Sequence, residues 1–143
     1  MVPRLHLVAR ILLGAIFVLS GISKVISPVQ ATDLLRALSG LDQLWARACV
    51  LGLSACEVIL GVTLVVCSRS LQIAATVASL TLLFFVFFGL FTIENPVSCG
   101  CFGDVLDTKT DELFILRNLL FLVIALFVLR YSKEHVGQPI EGN

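Results

Sequence analysis

The sequence predicts an all-α membrane protein, a four-transmembrane-helix bundle with a short interfacial helix between spans one and two. Three observations carry this reading. Of 143 residues, 58% are hydrophobic and only 14% are charged, with a mean hydropathy of +1.03; water-soluble domains are about 45–50% apolar and about 25% charged. Four segments approach the roughly 20 mainly apolar residues needed to cross a bilayer. Their apolar runs are too long and too uniform for the alternating strands of a barrel, which leaves helices that pair their own backbone groups. Ten Lys plus Arg balance ten Asp plus Glu, so no basic surface argues for nucleic acid. A single domain, 1–143, accounts for the whole pattern.

Span one, 5–26 (LHLVARILLGAIFVLSGISKVI), contains Arg10 and Lys24. Arg4 supplies a basic start like that of a signal peptide. Arg10 interrupts the apolar stretch, however, and no small-x-small site follows Ile26, so a retained span is expected. Arg10, Gly14, Phe17, Gly21 and Lys24 recur at steps of four and three and share one helix face. The two glycines on that face admit a close neighbour, and the two charges stand about 21 Å apart along the axis.

Between spans one and two, 31–38 reads as a short helix. Leu34, Leu35, Leu38 and then Leu41 fall at helical spacing, and Ser39-Gly40 can end it. With Trp45 nearby, it is expected in the interface plane. Span two, 48–67, holds one charge, Glu57, with Gly61 four residues on. A lone carboxylate at that depth is protonated or paired, and Arg117 and Arg10 are the candidate partners by reach. Whether such a pair fixes helix register or Glu57 serves as proton acceptor or cofactor contact is open. Cys67–Ser70 is a tight turn, so spans two and three should form an antiparallel hairpin. Span three, 71–93, carries no charge, and span four, 113–131, places Arg117 about one turn from its start.

Four spans put both ends of the chain on one side and the third connection on the other. Outside the spans or at their very ends, Arg4, Arg69, Arg130 and Lys133 on the terminal side face Arg36, Arg47 and Lys109 opposite. The excess points to an inner (plasma) membrane protein with cytoplasmic termini. The third connection would then lie outside, where paired cysteines persist.

That connection contains SCGCFGD, with Cys99 and Cys101 flanking Gly100. Three chemistries are open: thiol-disulfide exchange, a structural bridge (for example to Cys49), and a metal site. Zinc wants four ligands, and His6 and His135 belong to the opposite side. Exchange suits the loop placement best. A ring closed by Cys-Gly-Cys is small and strained, hence easily reduced, and Arg117 at the mouth of the next helix would favour the thiolate. Cys49, Cys56 and Cys67 lie in apolar surroundings, where a free cysteine behaves as a small hydrophobe. Cys49 and Cys56 share a helix face about 10 Å apart, and either could resolve a mixed disulfide.

RxxxGxxFxxxGxxK (Arg10, Gly14, Phe17, Gly21, Lys24) resembles the opening signature of DoxX-like membrane proteins. ExxxG (Glu57, Gly61), CGCFGD (Cys99 to Asp104) and Arg117-Asn118 narrow the resemblance to the MauE family over about residues 4–131. The resemblance implies a four-helix, redox-associated inner-membrane protein. It also implies work alongside MauD, a thioredoxin-like periplasmic protein, in disulfide formation or transport that matures methylamine dehydrogenase. Carried onto this chain, it makes Cys99 and Cys101 the exchanging pair and Arg10, Lys24, Glu57, Arg117 and Asn118 the polar core. Cys49, Cys56 and Cys67 fall outside the family pattern.

Two functions compete. In the first, a membrane thiol-disulfide oxidoreductase exchanges with a thioredoxin-like partner and passes electrons to or from a quinone or the cytoplasm, with Glu57 managing a proton. In the second, a non-enzymatic assembly factor or small subunit of a respiratory, quinone-linked complex uses CGC only as a brace. A transporter is disfavoured, since four short spans leave little room for a midplane site unless the protein forms a homo-oligomer.

Overall fold

The structure, a computed structural model, describes residues 2–67, 70–92 and 112–136. Five helices follow in order: α1 (Val2–Ile26), α2 (Val29–Ser39), α3 (Gln43–Val66), α4 (Leu71–Thr92) and α5 (Glu112–Val136). Four of them are long and apolar enough to cross a membrane: Arg4–Ile26, Gln43–Val66, Leu71–Phe91 and Glu112–Ser132. No strand occurs among the described residues.

Helix ends follow local chemistry. Pro28 disfavours helical backbone at Ser27, so α1 stops at Ile26 and α2 starts at Val29. Gly40 closes α2 in the left-handed region at φ 67 and donates its N–H to Arg36 O at 2.8 Å. α3 begins at Gln43, ahead of the expected 48. Arg47 ends the apolar run there, but a polar first turn does not end a helix. α5 runs beyond the expected 131 to Val136 for the same reason.

A helix does stand between spans one and two, at Val29–Ser39, but only part of its leucine series packs. Leu34 rests with Phe85 and Ile115 against buried Phe114, while Leu38 is 63% exposed and Leu41 also points away. Thr32, not a leucine, is the buried residue of this helix.

Small residues decide which helices pair. α1 packs along α3, and α4 along α5, whereas α3 and α4 touch only lightly despite their short connection. The hairpin expected from the tight turn is therefore packed far more lightly than the α1–α3 and α4–α5 pairs. The reason lies in where each helix keeps its low side. A Cβ on Gly14 would stand 2.7 Å from Gly61 O, one on Gly61 2.6 Å from Gly14 O, and one on Gly21 2.7 Å from Ser54 O. These glycines therefore let the α1 and α3 backbones meet. α4 turns Ala74, Ala75 and Ala78 into the core beside Ala125 and Val128 of α5, and a Cβ on Gly89 would strike Ile115 and Phe114. Gly52 of α3, by contrast, has nothing within 4 Å of its Cβ position, so it brings no neighbouring helix close.

Polarity is reversed relative to a soluble domain. Lys24, Ser54, Glu57, Ser79 and Asn118 are buried, while Ile73 is 70% and Phe91 88% exposed. An apolar exterior spread over four helices belongs in lipid.

Candidate functional site: a buried ion pair between the first and third helices

α1 delivers Lys24 through the face predicted from its spacing. Gly14, Phe17, Gly21 and Lys24 are all buried, and Arg10 is half-buried. Side chains on a helix lean toward its N-terminus, so the Lys24 ammonium reaches back one turn. Its Nζ donates to Ser20 Oγ at 2.7 Å, with a longer contact to Ser20 O at 3.5 Å. The same Nζ lies 2.7 Å from Glu57 Oε2 of α3. Lys24 is 3% exposed and Glu57 4%. The two helices present them to each other because the glycine contacts fix both the spacing and the register of α1 against α3.

The carboxylate is thus paired, but with neither arginine expected from reach. Arg10 lies at the other end of α1, where Nε donates to Leu64 O at 3.0 Å and Nη2 to Val65 O at 3.2 Å. It serves the last turn of α3, whose carbonyls lack partners within the helix. Arg117 places its guanidinium 5.5 Å from the Phe114 ring centroid, a cation–π distance. Arg117 does approach the pair indirectly. It lines a cavity of about 40 Å³ together with Ser20, Glu57, Phe85 and Asn118, a volume that admits a single water. Asn118 is buried and donates Nδ2 to Phe114 O at 2.8 Å.

An ion pair desolvated to this degree repays its desolvation only when the remaining donors and acceptors are satisfied. Ser20 meets part of that demand, and nothing in the sequence reading singled it out. Its signal was present, a hydroxyl four residues before a membrane lysine on the same face.

Cys49 and Cys56 are free and exposed on α3, and Cys67 is exposed at its end. Their apolar surroundings are the outer face of the bundle, not its core. Cys49 and Cys56 border different cavities on the α4 side of the helix. Cys99 and Cys101 lie outside the described residues, and with them the whole third connection. Its anchor points are described: α4 ends at Thr92 and α5 starts at Glu112. That is the end of the bundle that also holds α2, Lys24 and Arg117. Among the described residues no three His, Cys, Asp or Glu side chains gather as a metal site would require. At the opposite end His6 is buried against Tyr131, with ring centroids 4.4 Å apart.

Four apolar helices, an apolar exterior and a charge pair sealed within define a multi-pass helical membrane protein. Its family follows from comparison. The family model described as "Methylamine utilisation protein MauE" matches residues 2–131, and the chain belongs to that family. A curated relative, the methylamine utilization protein MauE of Paracoccus denitrificans, is 29% identical over 121 residues. The alignment covers 83% of this chain and 65% of the relative, so the chain spans slightly less than two thirds of that protein's length. No solved structure matches.

Proposed function

We propose that this protein is an inner-membrane thiol-disulfide exchange protein. Cys99 and Cys101 swap bonds with a thioredoxin-like partner outside the cytoplasm, in the maturation of a periplasmic dehydrogenase of the kind methylamine utilisation requires. One observation carries the reading: the polar cluster of buried Lys24, Glu57 and Asn118 with half-buried Arg117 lies in the half of the bundle toward which α4 ends and α5 starts, the two anchors of the Cys-Gly-Cys connection. Family membership supports it independently. In this reading the termini face the cytoplasm and α2 lies in the outer interface plane. Arg117 near the start of α5 favours thiolate at the loop.

The chemistry is exchange through a mixed disulfide. A loop thiolate attacks the partner's disulfide, the partner's thiolate leaves, and the second loop thiol then displaces the partner as a reduced dithiol. A Cys101→Ser variant retains the attacking sulfur and lacks the resolving one, or the reverse, and Cys99→Ser covers the other assignment. One of the two is expected to accumulate a covalent adduct with a thioredoxin-like protein, released by dithiothreitol. Absence of any adduct in both variants, with the loop pair staying oxidised under strong reductant, would overturn the proposal and leave Cys-Gly-Cys as a brace in an assembly factor.

A further inference from the structure

The weak α3–α4 contact leaves a lateral seam in the bundle, and the seam is hollow. Its outer part is a cavity of about 400 Å³ whose wall includes Lys24, Leu34, Leu35, Cys49, Phe84 and Phe88. Its inner part, about 450 Å³, is bordered by Cys56, Glu57, Ile73 and Val77. Leu53 borders both. Each volume falls in the range of small-molecule sites, about 300–1,000 Å³. α2 covers the outer part, and the exposed flanks of α3 and α4 open the seam sideways.

An acyl chain of bulk lipid could lie in any apolar groove, but two features of this wall select a more particular occupant. The first is charge. The two members of the ion pair stand in the two halves of the seam, Lys24 in the outer wall and Glu57 in the inner. A hydrocarbon gains nothing from an ammonium, whereas a carbonyl oxygen accepts from it. The Lys24 contact to Ser20 O, at 3.5 Å, is at the limit of hydrogen bonding and is the one a ligand carbonyl would replace. The second is shape. Phe84 and Phe88 of α4 lie nearly parallel, 19° between ring planes and 6.4 Å between centroids, with Phe85 edge-on to Phe84 at 5.9 Å. Such a wall suits the face of a planar ring.

The geometry points to a binding site for a lipid-soluble quinone. Its carbonyl-bearing ring sits in the outer cavity between α2 and the α4 phenylalanines, near Lys24, and its isoprenoid tail follows the α3–α4 seam. The proposal is made apart from the thiol chemistry above, because every wall residue on which it rests belongs to α1, α2, α3 or α4.

The chain supplies its own reporter. Trp45 is its one tryptophan, one turn before Cys49 on α3 and thus beside the outer cavity. In phosphatidylcholine nanodiscs carrying the full chain, decylubiquinone is expected to quench Trp45 fluorescence with saturation. Ala31→Phe narrows the mouth from the α2 side without touching the ion pair and should weaken that binding by at least about tenfold. The paired variant Lys24→Met/Glu57→Met leaves no unpaired charge and should weaken it by about tenfold, the worth of a hydrogen bond to a charged group. A Cys99→Ser/Cys101→Ser variant should bind as before, which keeps this site distinguishable from the exchange reading. Quenching that rises linearly without saturation, or that is unchanged by Ala31→Phe, overturns the proposal. So does displacement of decylubiquinone by nitroxide-labelled phosphatidylcholine with equal effect in the charge-free variant, which assigns the seam to bulk lipid.

Discussion

Replacing Lys24 by methionine removes one half of an ion pair that the bundle encloses almost completely, 3% and 4% exposed. The variant keeps the length and most of the volume of the side chain, so the packing between Gly21 and α3 survives. What is lost is the 2.7 Å contact to Glu57 Oε2 and the 2.7 Å bond to Ser20 Oγ. Leaving one buried charge uncompensated costs about 3–5 kcal/mol in soluble proteins. Helices separated within a membrane also hide some polar groups, which pulls the figure toward the lower end. About 3 kcal/mol, or roughly two powers of ten in the folding equilibrium, is the expected loss. Glu57→Met should cost somewhat less, because Ser20 still accepts from the ammonium. The double variant Lys24→Met/Glu57→Met should recover most of the loss, since an apolar pair of similar volume replaces both charges together. Titration with dodecyl sulfate in mixed micelles, followed by helical circular dichroism, measures all three variants against the parent. A coupling of at least about 2 kcal/mol is expected from the cycle. If Lys24→Met unfolds no earlier than the double variant, the pair does not hold α1 to α3 and the register argument fails.

Three further outcomes follow from the same contacts. Gly61→Ala drives a methyl to 2.6 Å from Gly14 O, a backbone atom with no room to yield, and should lose about 1–3 kcal/mol in the same titration. Gly52→Ala meets nothing within 4 Å and should gain up to about 1 kcal/mol from helix propensity alone. Arg10→Leu withdraws the donors held by Leu64 O and Val65 O, so amide exchange over 64–67 should quicken by about tenfold while the α2 end keeps its protection.

Much of the architecture was legible from composition and period. Span positions needed only apolar length, and the inward face of α1 could be read from steps of four and three ending at Lys24. The glycines on that face also announced a close neighbour. Their identity as a clamp against Gly61 and Ser54 was not visible, because sequence spacing gives a face but not the helix it meets. That gap produced the mistaken partner for Glu57. Long reach favoured Arg10 or Arg117, whereas register, set by backbone contact at Gly14 and Gly61, brings Lys24 alongside instead. Connection length misled in the same way for α3 and α4, whose short turn says nothing about which faces are small. The hollow seam could not be foreseen, since a cavity arises from contacts that fail to form. The Cys-Gly-Cys pair was plain in the sequence and lies outside the described residues.

The pairing of Lys24 with Glu57 also constrains how the chain enters the bilayer. A lysine at the centre of a newly made helix costs about 2.5–3.5 kcal/mol on insertion scales. Lys24, close to the end of α1, costs less because its side chain can reach toward the interface. Its counterion is not synthesised until Glu57, 33 positions later. Until α3 arrives, α1 holds a charge with nothing opposite to neutralise it. The remaining cost favours the first and third helices settling into lipid as one unit, with the α4–α5 half docking onto the assembled pair.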